Sequence, residues 1–150
     1  MGRVLAIDYG QKRVGFAVTD ELMICANPLE TVPVAMAFDF LKNYLQTENV
    51  SVVVVGEPLK LDNTPSESSR FIEPFVNRLK KELPKISPGT AIARIDERFT
   101  SRLAFQAIID MGVKKKGRQD KSLVDKISAA IILQSYLEQQ EILKERNSQL

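Results

Sequence analysis

The segment RVLAIDYGQKRVGFAVT, residues 3–19, decides the fold. Residues 3–8 are a nearly continuous apolar run that ends in an acid, Asp8, which is typical of a buried strand. Residues 9–12 supply a turn, and residues 13–19 are again mostly apolar, which favours a second strand antiparallel to the first. The segment therefore predicts two paired strands, with Asp8 at the end of the first.

Outward from this pair, the hydrophobic pattern predicts one more adjoining strand and then strands that alternate with helices. These strands are expected at residues 21–26, 51–56 and 90–95. Helices are expected at residues 36–46, 64–83 (with a kink or a broken first turn at Pro74), 100–111 and 122–145. This order predicts an α/β fold with a central mixed five-stranded sheet, three antiparallel strands followed by parallel ones, flanked by helices.

Length and composition narrow the class of protein. The chain has 150 residues and a net charge of +2, which predicts a single domain over residues 1–150. No apolar run approaches the roughly 18–20 residues that cross a bilayer, and the N-terminus lacks a signal-peptide pattern, so no membrane association is expected. Cys25 is the only cysteine, which indicates a cytoplasmic protein, and its thiol is expected to be buried.

The chain contains no histidine. Nucleophile relays that depend on an imidazole are therefore excluded, and so are zinc sites that need histidine ligands. Any hydrolysis must use carboxylates, a metal that they hold, or lysine. Carboxylate-bound magnesium is the chemistry that suits such a composition.

Asp8 is the first candidate for this chemistry. Strand alternation places it on one face with Val4 and Ala6. A carboxylate at the end of so apolar a run is partly desolvated, which is costly unless a cation or hydrogen bonds offset it. A bound Mg²⁺ would do so; alternatively, Asp8 caps the turn that follows its strand.

The other candidate acids lie at the ends of predicted helices or strands. Asp125 begins a helical stripe of small and apolar residues, so its carboxylate could reach the first strand, or it could be a first-turn acid favoured by the helix dipole. Adjacent strand residues point to opposite faces, so only one of Asp96 and Glu97 reaches a given site, unless both merely pair with neighbouring arginines. Glu57 follows the valine strand at the edge where α/β proteins bind ligands.

Basic residues are concentrated directly before the helix that carries Asp125. The cluster is formed by Lys114, Lys115, Lys116, Arg118 and Lys121, with Arg98 close by in the sequence. Such a local concentration attracts phosphate backbones, although a solvated loop has the same composition.

Four motifs together resemble the YqgF/RuvX family over nearly the whole chain. They are LAIDYGQKRVGFAVTD at residues 5–20, GEPL at 56–59, DERFTS at 96–101 and DKISAAIILQSYL at 125–137. The resemblance implies an RNase H-like fold and a nuclease that processes the 5′ end of the 16S ribosomal RNA precursor or, alternatively, resolves Holliday junctions in DNA recombination and repair. Ser101 stands where the family usually has threonine, and Glu57 replaces a usually apolar residue.

The resemblance also implies the residues of the site. Asp8, Glu97 and Asp125 match the acids that hold two Mg²⁺ or Mn²⁺ ions and carry catalysis, with Glu57 and Asp96 as additional candidates. The nucleic-acid backbone would be held by Lys12, Arg13, Arg98, Lys114, Lys115, Lys116, Arg118 and Lys121. The partner is then an RNA precursor or branched DNA. A monomer suffices to trim RNA, whereas a junction requires two active sites and hence a homodimer.

Two other classes of protein remain open. The hairpin segment also resembles the opening element of actin-like and sugar-kinase ATPases, but those need two such domains around the nucleotide, and this length allows one. The second alternative is a non-catalytic nucleic-acid-binding factor of ribosome assembly that keeps the acids only for folding. Metal binding separates a catalytic site from this alternative.

Overall fold

The computed structural model describes residues 2–22, 25–58, 62, 69–96 and 121–148, with side chains of the last range from residue 127 to residue 147. These residues form five strands and three helices. The strands are β1 (Arg3–Tyr9), β2 (Arg13–Thr19), β3 (Ala26–Pro33), β4 (Val50–Glu57) and β5 (Ala91–Asp96). The helices are α1 (Val34–Thr47), α2 (Ser69–Ile86) and α3 (Lys121–Ser148).

The five strands form one mixed sheet in the order β3-β2-β1-β4-β5. β2 is antiparallel to both of its neighbours, β1 and β3, whereas β4 runs parallel to β1 and β5 runs parallel to β4. This is the predicted fold class, and it is confirmed. The parallel arrangement of β1, β4 and β5 brings their carboxyl ends to the same edge of the sheet, which is where Asp8 lies.

The two faces of the sheet are covered by different helices. On one face, α1 and α2 bury the larger core, to which β1 contributes Leu5 and Ile7. On the other face, α3 packs on a smaller core that contains Val4 and Ala6 of the same strand. Because successive strand residues point to opposite faces, the unbroken apolar run of β1 follows from burial on both sides.

The prediction of the third strand is wrong in its position. β3 occupies residues 26–33, not 21–26, and residues 21–22 form a turn. The predicted strand ends just before Asn27 and Pro28, but β3 is paired only with β2 in the described sheet, and an edge strand tolerates proline because its outer N–H groups need no partner. Cys25, expected to be buried, is exposed before this strand.

Two helices agree with their predictions, because α1 and α3 cover the predicted segments. The break predicted at Pro74 is wrong: α2 continues through Pro74 and Pro84 and ends at Ile86, three residues later than predicted. The predicted start of α2 at Thr64 and the predicted helix at residues 100–111 lie outside the described residues. Within the described ranges, no helix combines the length and the apolar composition that spanning a bilayer requires.

Candidate active site

Asp8 lies near the carboxyl end of β1, half-buried, at the edge shared by the three parallel strands. It is engaged in an interaction within the protein. Its position follows from the sequence, because the apolar run before it forms the central strand of the sheet. A carboxylate held half out of water at this place is suited to a cation.

Both strand neighbours of Asp8 are glycines. Gly15 of β2 is its direct cross-strand partner. On the other side Ile7 pairs with Val55, so Gly56 follows beside Asp8 on β4. Directly opposed residues of a sheet place their side chains on the same face. The two adjacent strands therefore place no side chain beside the Asp8 carboxylate.

The face that carries Asp8 is the one covered by α3. Asp8 follows Val4 and Ala6 in the strand alternation, and both residues pack with Ala129 and Ile132 of α3. Small side chains on the helix and on the strand allow a close approach, as the stripe in the sequence predicted. Asp125 is part of α3 and precedes Ala129 by four residues, which is about one helical turn.

Glu57 and Asp96 end the next two parallel strands and are direct partners in the sheet. Strand alternation places Glu57 with Val55 and Asp96 with Arg94, on the face covered by α1 and α2. The two additional candidates thus lie at the predicted edge but on the opposite face from Asp8. On β5, Ala93 and Ile95 share the face of Asp8.

The turn between β1 and β2 is fixed by its backbone. The Gly10 N–H donates to the Arg13 carbonyl at 2.9 Å, and the Lys12 carbonyl accepts from the Val34 N–H of α1 at 3.0 Å. A Cβ atom on Gly10 would lie 2.6 Å from the Arg13 carbonyl oxygen, so this position requires glycine. Lys12 is exposed and Arg13 is half-buried; they follow the last residue of β1, Tyr9, by three and four residues.

Arg94 of β5 stabilises the carboxyl end of β4. Its guanidinium donates to the carbonyls of Val55 and Gly56 at 3.3 Å and 3.2 Å. It also forms an ion pair with Glu73 of α2, with 3.0 Å between Nη2 and Oε1. Because Gly56 lies beside Asp8, this arginine fixes the backbone on one side of the candidate site.

Comparison with known proteins identifies the family. The family model described as "RuvX: Holliday junction resolvase" matches residues 2–139. The chain belongs to the RuvX family. The resemblance seen in the four motifs is confirmed, and the mixed sheet with its helices on both faces is the RNase H-like fold expected of this family.

The curated relatives of this RuvX-family chain are similar to it over almost their whole length. A protein of Phocaeicola vulgatus is 55% identical over 138 residues, covering 92% of this chain and 96% of the relative; its printed name is "Putative pre-16S rRNA nuclease". Proteins with the same name from Flavobacterium psychrophilum and Bacteroides fragilis are each 51% identical, covering 91% and 92% of this chain and 97% of each relative.

Some residues expected for the RuvX-family site lie beyond what the structure describes. Glu97, Arg98 and the basic residues Lys114, Lys115, Lys116 and Arg118 are outside the described residues. Lys121 and Asp125 lie in α3, in the part described by its backbone. Among the described residues no group of three acids is placed to hold a metal ion together. Of the three acids expected to hold metal ions, Asp8 is the one whose side chain the structure describes.

The sequence analysis missed Gly15, Gly56 and Arg94. The hairpin itself contains the signal for Gly15, because a turn between Gly10 and Arg13 sets the register that brings Gly15 opposite Asp8. The register of β4 against β1, which fixes Gly56, depends on tertiary packing. The role of Arg94 cannot be predicted from the sequence, because nothing in the pattern distinguishes an arginine that donates to two carbonyls of a neighbouring strand from any other arginine in a strand.

Proposed function

We propose that this chain is a metal-dependent nuclease that hydrolyses phosphodiester bonds at the 5′ end of the 16S ribosomal RNA precursor. The proposal assigns it one RNase H-like domain, an RNA partner and a place in the cytoplasm, where ribosomal RNA is matured in bacteria. The observation that supports it most directly is Asp8, a half-buried carboxylate flanked by two glycines at the carboxyl edge. The names of its relatives support the substrate.

The residues at the edge fit divalent metal ions. Mg²⁺ and Mn²⁺ prefer oxygen ligands, and the chain offers carboxylates but no histidine. We propose that Asp8, Glu97 and Asp125 hold two such ions. When bound, a pair of ions supplies Lewis-acid catalysis at the scissile phosphate.

The chain's own residues have four tasks in this proposal. The three carboxylates orient the site, and the missing side chains at Gly15 and Gly56 admit the phosphate. Lys12, at the exposed turn, neutralises backbone phosphate together with Arg13 and with the basic residues around the start of α3. The α3 helix excludes water from the sheet beneath Asp8, because Ala6 and Ala129 are fully buried there.

A second substrate is favoured by one specific finding, the description of the matching family as a Holliday junction resolvase. A four-way junction has two cleavage points related by symmetry, so its resolution requires two copies of the site. RNA trimming requires one copy. The two functions can therefore be distinguished by substrate and by oligomeric state.

The test is a cleavage assay with the purified chain and Mn²⁺, offering precursor 16S RNA and a four-way DNA junction side by side. We expect cleavage of the RNA at its mature 5′ end. Asp8→Asn is expected to abolish cleavage but to retain RNA binding, whereas the control Asp39→Asn, at an exposed acid of α1, keeps both. Cleavage of the junction alone would favour the resolvase, and cleavage retained in Asp8→Asn would refute the site.

A further inference from the structure

Helix α2 carries a basic stripe on its solvent side, formed by Arg70, Arg78, Lys81 and Lys85. All four side chains are exposed. The spacings of eight, three and four residues place them on one face of the helix. The buried residues of α2, such as Ile72 and Leu79, lie on the opposite side against the sheet. The basic stripe is thus a charged surface separate from the basic residues considered so far.

The charge of the basic stripe is only partly compensated by nearby acids. Of the two acids in α2, Glu73 is paired with Arg94. The other, Glu82, follows Arg78 by four residues and precedes Lys85 by three, so it offsets part of their charge. Within the ranges that the structure describes, none of the four cations forms an ion pair with a carboxylate. The stripe therefore keeps a net positive charge.

Aromatic rings accompany two of the four cations. The Arg78 guanidinium lies over the ring of Phe38 of α1, with 3.8 Å to the ring centroid, and Arg70 lies 5.4 Å from the centroid of Phe71. Phe71 is 39% exposed, whereas Phe38 is buried, so Phe71 is the ring of the two that a base can reach. Exposed aromatic rings beside cations are typical of surfaces that bind single-stranded nucleic acid, because bases stack on the rings while cations hold the phosphates.

The direction of α2 connects the basic stripe with the candidate site. At the start of the helix, the Ser69 hydroxyl donates to the Pro58 carbonyl at 3.2 Å, next to the carboxyl end of β4. Beyond the other end of the helix, Thr90 donates to the Val50 carbonyl at the start of β4. Arg70 is therefore nearest the edge that carries Asp8, and the stripe leads away from it over about 22 Å to Lys85.

We propose that the basic stripe binds the phosphate backbone of single-stranded RNA that flanks the cleavage point. This inference rests on the proposed nuclease function and extends it, because it gives the RNA a path from the carboxyl edge along α2. Phe71 stacks on a base close to the edge, and Arg78, Lys81 and Lys85 contact successive phosphates farther along.

The experiment measures RNA affinity as a function of salt in the Asp8→Asn background, so that the RNA stays intact. Two RNAs are compared, one that spans only the cleavage point and one that adds flanking nucleotides. The stripe variant is Lys81→Gln/Lys85→Gln. The matched control is Lys144→Gln/Arg146→Gln, at exposed cations of α3. Thermal unfolding of both variants checks that the fold is kept.

For the longer RNA we expect the stripe variant to reduce the salt slope of log K by about 1.4, because each phosphate contact on a single strand contributes about 0.7. When the salt concentration is raised fourfold, the affinity of the parent protein for the longer RNA then falls about sevenfold more than the affinity of the stripe variant. The control keeps the parent slope. Phe71→Leu is expected to weaken binding of the longer RNA at least about fivefold, the lower limit for losing one stacked base.

Three results would overturn the proposal. The first is an unchanged salt slope of log K in the stripe variant. The second is an equal change of this slope for the short and the long RNA, because Lys81 and Lys85 would then contact the RNA at the cleavage point and not along its flank. The third is unchanged affinity of Phe71→Leu, which would refute the single-stranded path. A parent protein that binds neither RNA would instead refute the proposed function, so the two failures are distinguishable.

Discussion

Asp8 of β1 lies directly across the sheet from Gly15 of β2. The next strand places Gly56 on its other side, so neither adjacent strand places a side chain beside the carboxylate. A strand interior gains nothing from glycine, which packs no side chain and loses more conformational entropy on folding than other residues. Space beside Asp8 is what these two glycines provide.

Gly15→Val is therefore expected to abolish cleavage without abolishing RNA binding. The added isopropyl group would lie beside Asp8 on the face covered by α3, where a phosphate or an ion has to enter. Gly15→Ala, which adds one methyl group, should cause a smaller loss. Cleavage rates are measured alongside the unfolding midpoint, and a folded Gly15→Val protein with full activity would contradict this role of the glycine.

The hairpin turn allows a prediction about stability. A Cβ atom on Gly10 would lie 2.6 Å from the Arg13 carbonyl oxygen, so Gly10→Ala must displace the backbone of the turn. We expect the free energy of unfolding in urea to fall by about 1–3 kcal/mol. Gln11→Ala, at an exposed neighbouring position, is the control and should change stability by less than about 0.5 kcal/mol. Equal effects would show that the turn tolerates a side chain.

Arg94 and Glu73 are expected to differ in their contributions to stability, although they form one ion pair. Arg94→Met removes the pair together with two hydrogen bonds to carbonyls of β4, which should lower the free energy of unfolding by about 2–3 kcal/mol. Glu73→Gln removes only a partly exposed pair, with 43% of its side chain accessible, which should cost less than about 1 kcal/mol. Equal losses in denaturant unfolding would refute the role assigned to the carbonyl contacts.

Because Tyr9 and Tyr136 are partly buried, we expect the protein to lose stability at alkaline pH. Burial raises the pKa of Tyr9 and of Tyr136 above the usual value of 10.0. Because the folded state holds these protons more tightly than the unfolded state, their contribution is present below pH 10 and is lost as the pH rises through the folded pKa. The chain has three tyrosines and no tryptophan, so tyrosinate absorbance reports on them directly.

The measurement compares the free energy of unfolding on both sides of pH 10 with the absorbance titration of the folded protein. Tyr9→Phe is expected to make the alkaline decrease in stability smaller. A titration of all three tyrosines at the ordinary pKa, with no such decrease, would contradict the burial of these side chains.

Much of the fold could be predicted from the sequence because burial on both faces produces long apolar runs. The run before Asp8 and the four valines of β4 each marked a central strand, and the stripe that contains Ala129 and Ile132 marked the helix face that packs on the sheet. β3 was misplaced because an edge strand tolerates Pro28 and Pro33, whose presence in a central strand would be prohibitive.

The candidate site was predictable in part. Asp8 could be identified because an acid ending a buried strand is costly without a partner, and motif resemblance added Glu97 and Asp125 as expectations. Glu57 and Asp96 lie on the sheet face opposite to that of Asp8, and this follows from the alternation of side chains along a strand once the ends of β4 and β5 are known. The neighbours Gly15 and Gly56 depend on strand register, and the contacts of Arg94 depend on how a flexible side chain packs between β4 and α2.

The central claim is that Asp8, Glu97 and Asp125 hold divalent ions together. Its most direct test is the unfolding midpoint of the full chain during a Mn²⁺ titration, comparing the parent protein with Asp8→Asn, Glu97→Gln and Asp125→Asn, and with Asp39→Asn as control. We expect the parent and the control to gain about 2.7 kcal/mol of stability at a Mn²⁺ concentration of about 100 times Kd, and each site variant to lose most of this gain. A parent protein whose stability does not respond to Mn²⁺, or an Asp8→Asn variant that responds as the parent does, would contradict the claim.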